Sequence, residues 1–282
     1  MRPPGDPGER PKPATQVGTN ATNPKGNFMR TSFGLFGLTL ATLATPAFAD
    51  EPTAEPPAIT INGTATVVSD YRFRGISQTN KRFAVQGSLT LNHKSGLYAS
   101  VWGSSVDEYI AAGADQEIDL ILGFKKTFGS TTVDVGGIYY YYPGSAQLIP
   151  GYSSDFFEPY LAVSHTFGPV TAKVTGNYAP KSAALDYGFG KEDNFYGALD
   201  LSSAIPGTPL SVSGHLGHNF SRSFLSGGVK YTDWAVGASF THKALSFGIQ
   251  YVDTNATLFS GIPNANRNIT KGGIVGTVGV AF

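Results

Sequence analysis

The property that most limits what this chain can fold into is a period of two. From Ile59 to Phe282 apolar residues recur at alternate positions, and no segment sustains the 3.6-residue apolar spacing of an amphipathic helix. Twelve alternating segments can be marked. They run over Ile59 to Phe73, Phe83 to Asn92, Leu97 to Ser105, Glu117 to Thr127, Thr132 to Tyr142 and Phe157 to Thr166, then Val170 to Tyr178, Asn194 to Ser202, Leu210 to His218, Thr232 to Phe240, Leu245 to Val252 and Gly272 to Phe282. Their connections alternate in length: HKSG, FGST, FGP, SAIPGTP and THKA are short, whereas YPGSAQLIPGYSSD, APKSAALDYGFGKED and DTNATLFSGIPNANRNITK are long. An even number of antiparallel strands with tight turns at one end and long loops at the other is the layout of a bacterial outer-membrane barrel. The predicted fold class is therefore all-β, a transmembrane antiparallel up-and-down β-barrel of about twelve strands.

The two faces of the segments differ in charge. One alternate set gives Ile59, Ile61, Ala65, Val67, Tyr71 and Phe73 in the first segment, Ile118, Leu120, Leu122 and Phe124 in the fourth, and Leu245, Phe247, Ile249 and Tyr251 in the eleventh. Across about fifty positions assigned outward in this way no Asp, Glu, Lys or Arg is counted, where a 14% charged composition would place roughly seven. The opposite face collects Asp70, Arg72, Arg74, Glu117, Asp119, Lys125, Asp134, Glu158, Lys173, Asp200, Asp233 and Lys271. A cationic side chain facing lipid at the midplane costs roughly 2 to 4 kcal/mol, so reversing the register would cost more than a net stability of about 5 to 15 kcal/mol.

A soluble sandwich also alternates, but it hides its apolar face between two sheets. Aromatic placement separates the two. Tyr71, Phe73, Phe83, Tyr139, Tyr141, Phe157, Tyr178, Phe195, Trp234 and Tyr251 are expected to face outward at the long-loop ends, and Phe128, Phe167, Phe240 and Phe282 at the short-turn ends. Two aromatic levels around an aliphatic band are the interfacial girdles of a membrane barrel. Pro159 is expected near the rim of the sixth segment, where a missing ladder bond costs least.

The N-terminal part fits export. Residues 1–28 are a Pro/Gly-rich extension with little to bury, and Met29 offers an alternative start. Residues 29–49 read as a signal peptide: Arg30 as positive n-region, Phe33 to Leu43 as apolar stretch, and Ala47-Phe48-Ala49 as cleavage site. Eleven apolar residues fall short of the roughly 20 that a membrane helix requires. Residues 50–58 form a periplasmic lead and 59–282 the barrel. From Asp50 onward the chain carries 15 Lys and Arg against 18 Asp and Glu, a balance of −3 that gives no basic surface for nucleic acid. The chain has no cysteine, which removes disulfides and thiolate metal sites.

Two short blocks invite functional reading. The chain ends GIVGTVGVAF, and Phe282 as the terminal residue of a closing strand is the expected signal to the outer-membrane assembly machinery. VVSDYRFRGISQT, at Val67 to Thr79, sets an acid and two arginines among aromatic and β-branched residues. Continued alternation would put Val67, Tyr71 and Phe73 toward lipid and Asp70, Arg72 and Arg74 into the lumen, paired with acids such as Glu117, Glu158 or Asp233, with Gly75 opening the first external loop.

At VSDYRFRGISQT, SGLYASVWGSSVD and VGGIYYYYPG the chain resembles the TorF-type porin family, proteobacterial outer-membrane proteins also grouped as a family of unknown function. The resemblance runs from about Gly63 to Phe282 and implies an outer-membrane barrel that passes small solutes.

Enzymatic constellations are poor. His215 and His218 stand three apart and so on opposite strand faces, and His165 beside Ser164 likewise. No glycine-rich turn opens a helix to cradle phosphate. No catalytic residue, metal ligand or cofactor is expected. The expected pore lining is Asp70, Arg72, Arg74, Trp102, Glu117, Asp119, Tyr140, Glu158, Tyr196 and Asp233, its mixed charge favouring weak ion selectivity. The expected role is an outer-membrane, porin-like channel for passive diffusion of small hydrophilic solutes. The competing one is a barrel plugged by its own side chains whose long external loops bind a partner.

Overall fold

The computed structural model describes residues 57–145, 153–188, 190–263 and 265–282. The extension, the signal segment and most of the periplasmic lead lie outside the described residues. Fourteen strands follow one another: β1 (Ile59–Val68), β2 (Arg72–Phe73), β3 (Ile76–Ser77), β4 (Ala84–His93), β5 (Leu97–Ser105), β6 (Gln116–Phe128), β7 (Thr131–Tyr141), β8 (Phe156–Phe167), β9 (Val170–Ser182), β10 (Glu192–Ala204), β11 (Leu210–Asn219), β12 (Tyr231–His242), β13 (Leu245–Thr254) and β14 (Gly273–Ala281). Twelve of them close an antiparallel meander barrel, in which β1 pairs with β14 on one side and β4 on the other. The remaining two, β2 and β3, form a separate hairpin.

Closure depends on the last residue. β1 pairs with β14 from Thr64↔Ala281 to Val68↔Thr277, and Gly63 and Phe282 exchange both backbone hydrogen bonds, 2.8 and 3.0 Å. The Phe282 ring lies over Gly63, where any Cβ would collide with it. Both ends of the barrel therefore sit on the side of the tight turns, which in outer-membrane barrels is the periplasmic side.

The barrel is inside out relative to a soluble domain. Leu122, Val236 and Ile274 are 67%, 62% and 70% exposed, as members of an apolar outer band. Phe83, Tyr139, Tyr141, Phe157, Tyr178, Phe195, Trp234 and Tyr251 are exposed toward the long loops, and Phe128, Phe167, Phe240 and Phe282 at the turn end. This band, closed on itself with no free sheet edge, is a bilayer-spanning surface, and the protein is an outer-membrane β-barrel. Charge does reach the outer face at its rims, contrary to the sequence count. Lys126 pairs with the outward Val133 next to the periplasmic turn, and Asp253 pairs with Trp234 at the other end. Both stand where the cost of a charge falls toward zero.

The first predicted strand is too long. β1 ends at Val68, and the chain then turns into the barrel instead of continuing along its wall. Tyr71 and Phe73 are consequently buried, at 6% and 9% exposure, and do not face lipid. Gly75 does not release an external loop either. With φ of +80° it follows Arg74, φ +49°, as the second residue of a two-residue hairpin loop between Phe73 and Ile76. Such loops demand positive φ at their central residues, which glycine supplies freely and arginine only at a cost of about 1 to 2 kcal/mol.

Candidate functional site

The lumen has two unlike halves. The outer half is filled by the hairpin, which plugs into strand side chains at several points. Its base is a knot around Asp70: Arg72 Nε donates to Oδ2 at 2.6 Å, while the Ser77 and Thr79 hydroxyls donate to Oδ1 at 2.5 and 3.3 Å. Arg72 also donates to the carbonyls of Gly75 and Ile269, and Ser77 N–H to that of Ile269, tying the hairpin to the loop before β14. The Asp70–Arg72 pair is intramotif, so Arg72 does not reach a wall acid.

The hairpin tip crosses the bore. Arg74 Nη2 donates to both carboxylate oxygens of Glu158 on β8, at 2.6 and 2.8 Å, with side-chain exposures of 5% and 0%. The guanidinium also lies over the rings of Phe73 and Tyr196, 4.6 and 4.4 Å from their centroids. Glu158 further accepts from Asn177 of β9 at 3.0 Å, and the Arg74 carbonyl accepts from Tyr231 of β12 at 2.9 Å. Tyr71 donates to Glu117 of β6 at 3.1 Å and packs against Trp102 of β5, while Phe73 meets Tyr140 of β7 edge-on. One turn thus touches at least six wall strands.

External loops add an apolar lid to this plug. Ala111 and Ala114 between β5 and β6, Leu185 between β9 and β10, and Leu225 between β11 and β12 cluster with Tyr71, Phe73, Tyr140 and Phe156. A smaller cluster joins Ile76 and Tyr231 to Ile269, Tyr109 and Leu258. Tyr109 also donates its hydroxyl hydrogen to the Ser77 carbonyl.

The periplasmic half is wetter. Lys125 and Asp134 pair at 3.6 Å and Lys173 and Asp200 at 3.1 Å, all four side chains partly accessible. Asp134 accepts from Tyr98 at 2.8 Å and Tyr160 at 3.3 Å, and those two hydroxyls touch one another. His215 stands between two acids, its Nδ1 2.6 Å from Asp200 and its Nε2 2.9 Å from Asp233, with the Tyr196 hydroxyl 3.0 Å away. Tyr196 also contacts Asp233 at 3.0 Å. These groups form two polar clusters on the inner wall, one joining β5 to β8 and the other β9 to β12.

All ten residues expected to line the bore lie inside the barrel, but they do not form one row. Asp70, Arg72 and Arg74 belong to the inserted hairpin; Trp102, Glu117, Asp119, Tyr140, Glu158, Tyr196 and Asp233 belong to the wall. Lys125, Asp134, Lys173, Asp200 and His215, which form the accessible band, are as much part of the lumen. Lys271 is exposed on the loop before β14 and not in the bore.

Buried polar atoms are left over in the barrel: Arg74 Nη1 and Asn80 Oδ1 on the insertion, both oxygens of Asp119 on β6, and, elsewhere, Asn194 Nδ2, Asn219 Oδ1, Thr175 Oγ1 and Gln250 Oε1 have no protein hydrogen-bond partner. Left dry, each would cost about 1 to 3 kcal/mol, so water belongs in these places.

Catalytic geometry is thin. His93 and Ser95, spaced two apart, meet at 2.8 Å, yet on an exposed periplasmic turn. His218 is outside, beside Phe220 and Thr232, opposite in facing to His215 as its spacing predicts. Among the described residues no group of three or more His, Asp or Glu side chains is placed to hold a metal ion.

Comparison with solved structures finds similar barrels. The NanC porin gives a TM-score of 0.49 at 11% identity, over 79% of this chain and 99% of that one. An outer membrane channel from Pseudomonas putida F1 gives 0.46 at 13% identity, over 83% and 98%. An anion-selective porin from Comamonas acidovorans gives 0.39 at 10% identity, over 79% and 99%. No curated protein matches the chain. Residues 51–282 match the profile of a bacterial protein family of unknown function (Gcw_chp), and the chain belongs to that family.

Proposed function

We propose that this protein is a porin-like channel for passive diffusion of small hydrophilic solutes, closed in the present conformation by the Asp70–Asn80 insertion. The observation that carries the reading is the unfinished polar contact of the insertion, with Arg74 Nη1 and Asn80 Oδ1 on it and both oxygens of Asp119 on the wall buried without a hydrogen-bond partner. A permanent stopper gains most from apolar packing or a fully satisfied polar network, and one with orphaned donors and acceptors is worse than either. Buried polar atoms left over on the insertion and the wall weaken its seat, so the seam can part. The likeness of the SDYRFRG block to the TorF-type porin family accords with this, since that block is the plug. On this reading Asp119, Glu117, Glu158, Tyr196 and Asp233 line the path once the hairpin leaves. His215 holds the wall together and performs no chemistry, and Phe282 serves as the assembly signal.

A second reading has its own observation: the apolar lid of Ala111, Ala114, Leu185 and Leu225 over Tyr71 and Phe73. It favours a barrel that stays shut and uses its loops to bind a partner. Planar-bilayer recording separates the two. The channel reading expects brief or small conductance steps from the intact protein and large, steady ones when residues 70–80 are replaced by a short Gly-Ser connection. Silence from both proteins, each shown to be folded, would leave the plugged reading standing.

A further inference from the structure

Four cations crowd the outer rim where the loop after β1 meets the loop before β14. Lys81 Nζ and Arg72 Nη2 both donate to the carbonyl oxygen of Lys271, at 3.2 and 3.3 Å, so two positive groups share one neutral acceptor. Arg267 Nη1 donates to the neighbouring Asn80 carbonyl at 3.2 Å. Asn80 and Lys81 both hold positive φ, +50° and +61°, a backbone cost paid where the cluster is presented. Partial burial, and then the Arg72, Lys271 and Arg267 charges, hold the Lys81 ammonium below its ordinary value, with Asp70 opposing.

The acids nearby are engaged. Asp70 is taken by Arg72, Ser77 and Thr79. Asp253 accepts from the Tyr251 hydroxyl at 2.8 Å and the Thr254 N–H at 2.9 Å. Among the described residues Lys81, Arg267 and Lys271 form no ion pair, whereas the adjacent Arg82 is paired with Asp107. Three cations without an ion-pair partner held this closely repel one another, and an anion with several oxygens relieves that repulsion. The lipid-facing wall lies beside them. Phe83, two residues after Lys81, is 75% exposed, and Ile274, three after Lys271, stands outward on β14. The cluster is therefore at headgroup height above the apolar band.

We propose that Lys81, Arg267 and Lys271, backed by Arg72, form a binding site for a phosphate-bearing anion at the outer rim, occupied by the phosphorylated headgroup of an outer-leaflet glycolipid. The site is independent of whether the lumen conducts.

The test uses the purified, folded barrel in neutral detergent and reads its thermal unfolding midpoint against added bisphosphorylated lipid A, dephosphorylated lipid A and inorganic pyrophosphate. The expected result is a rise with bisphosphorylated lipid A and none with the dephosphorylated form. In K81Q/R267Q/K271Q, the half-saturating concentration should increase by about tenfold or more, given about 1.4 kcal/mol per tenfold. K81R/K271R should keep the response, which separates lost charge from a disturbed rim. An equal rise with pyrophosphate would uphold the anion site and overturn the headgroup as its occupant. No rise with any phosphate compound, or an undiminished rise in the triple glutamine variant, would overturn the proposal.

Discussion

Arg74 is the residue on which the hairpin's position turns. It pays for a left-handed backbone, and its guanidinium is spread over Glu158, Phe73 and Tyr196 inside the bore. Removing one partner of a buried ion pair strands the other, at about 3 to 5 kcal/mol, whereas replacing both with apolar groups of similar size is often nearly neutral. Glu158→Gln should therefore lower the urea midpoint of the folded barrel markedly, and the double variant Arg74→Met with Glu158→Met should recover much of the loss. A double variant no better than the sum of the singles would show that Arg74 is held by its ring contacts and not by the carboxylate. The same residue shows where sequence reading stops. Alternation runs without a break through Val67, Tyr71 and Phe73, so period alone cannot tell a wall from an insertion. Arg74-Gly75 gives only half of a two-residue turn signal, since glycine suits the positive φ of its second position and arginine does not favour that of the first. Tyr71 and Phe73 carry the aromatic character of the girdle as well, so composition does not separate the two placements.

At the level of the strand, aromatic side chains are fitted over glycines of neighbouring strands. Inside the barrel Tyr98 covers Gly123, Tyr160 covers Gly136 and Tyr196 covers Gly217; outside, Phe157 covers Gly137 and Phe282 covers Gly63. The ring occupies the space that a Cβ would take, and thereby fixes both its own rotamer and the strand register. Gly136 is the strictest of these, because an added Cβ would meet the Leu122 carbonyl at 2.7 Å as well as the Tyr160 hydroxyl at 2.6 Å. Gly176 is permissive, its nearest neighbour being the Phe195 ring at 3.7 Å. Gly136→Ala should cost about 1 to 3 kcal/mol, the range for overpacking, and Gly176→Ala close to nothing, both read from urea titrations of the refolded barrel. Removal of Phe282 should slow or abolish formation of the heat-resistant folded band, since it deletes the last backbone pair at the β1–β14 seam as well as the ring over Gly63. The strands were legible because lipid on one side and water on the other enforce a period of two. The Tyr–Gly pairing was not, because it joins residues on paired strands, as Tyr98 with Gly123, and a period of two does not say which glycine of the neighbouring strand a ring will cover.

For the molecule as a whole, the accessible charges of the periplasmic band are arranged as neighbours of opposite sign, whereas the acids of the outer half outnumber its cations on the wall. Lys125 with Asp134 and Lys173 with Asp200 lie on the accessible periplasmic side, on adjacent strands, so that neither sign dominates the local potential. A channel opened by replacement of residues 70–80 loses Arg72 and Arg74 while Glu117, Asp119, Glu158 and Asp233 stay on its wall, and should favour potassium over chloride. Neutralising the acids alone, as Asp134→Asn with Asp200→Asn, leaves both lysines uncompensated and should move the reversal potential in a salt gradient toward chloride. Neutralising the lysines alone, as Lys125→Gln with Lys173→Gln, should move it toward potassium. Both shifts should fade as salt rises toward 1 M, where the Debye length shrinks to about 3 Å and the wall charges are screened from the middle of the bore. A conducting variant whose reversal potential ignores all four substitutions would place the ion path away from this band. The hairpin would then close a different route through the barrel from the one its contacts with Glu158 of β8 and Tyr231 of β12 define.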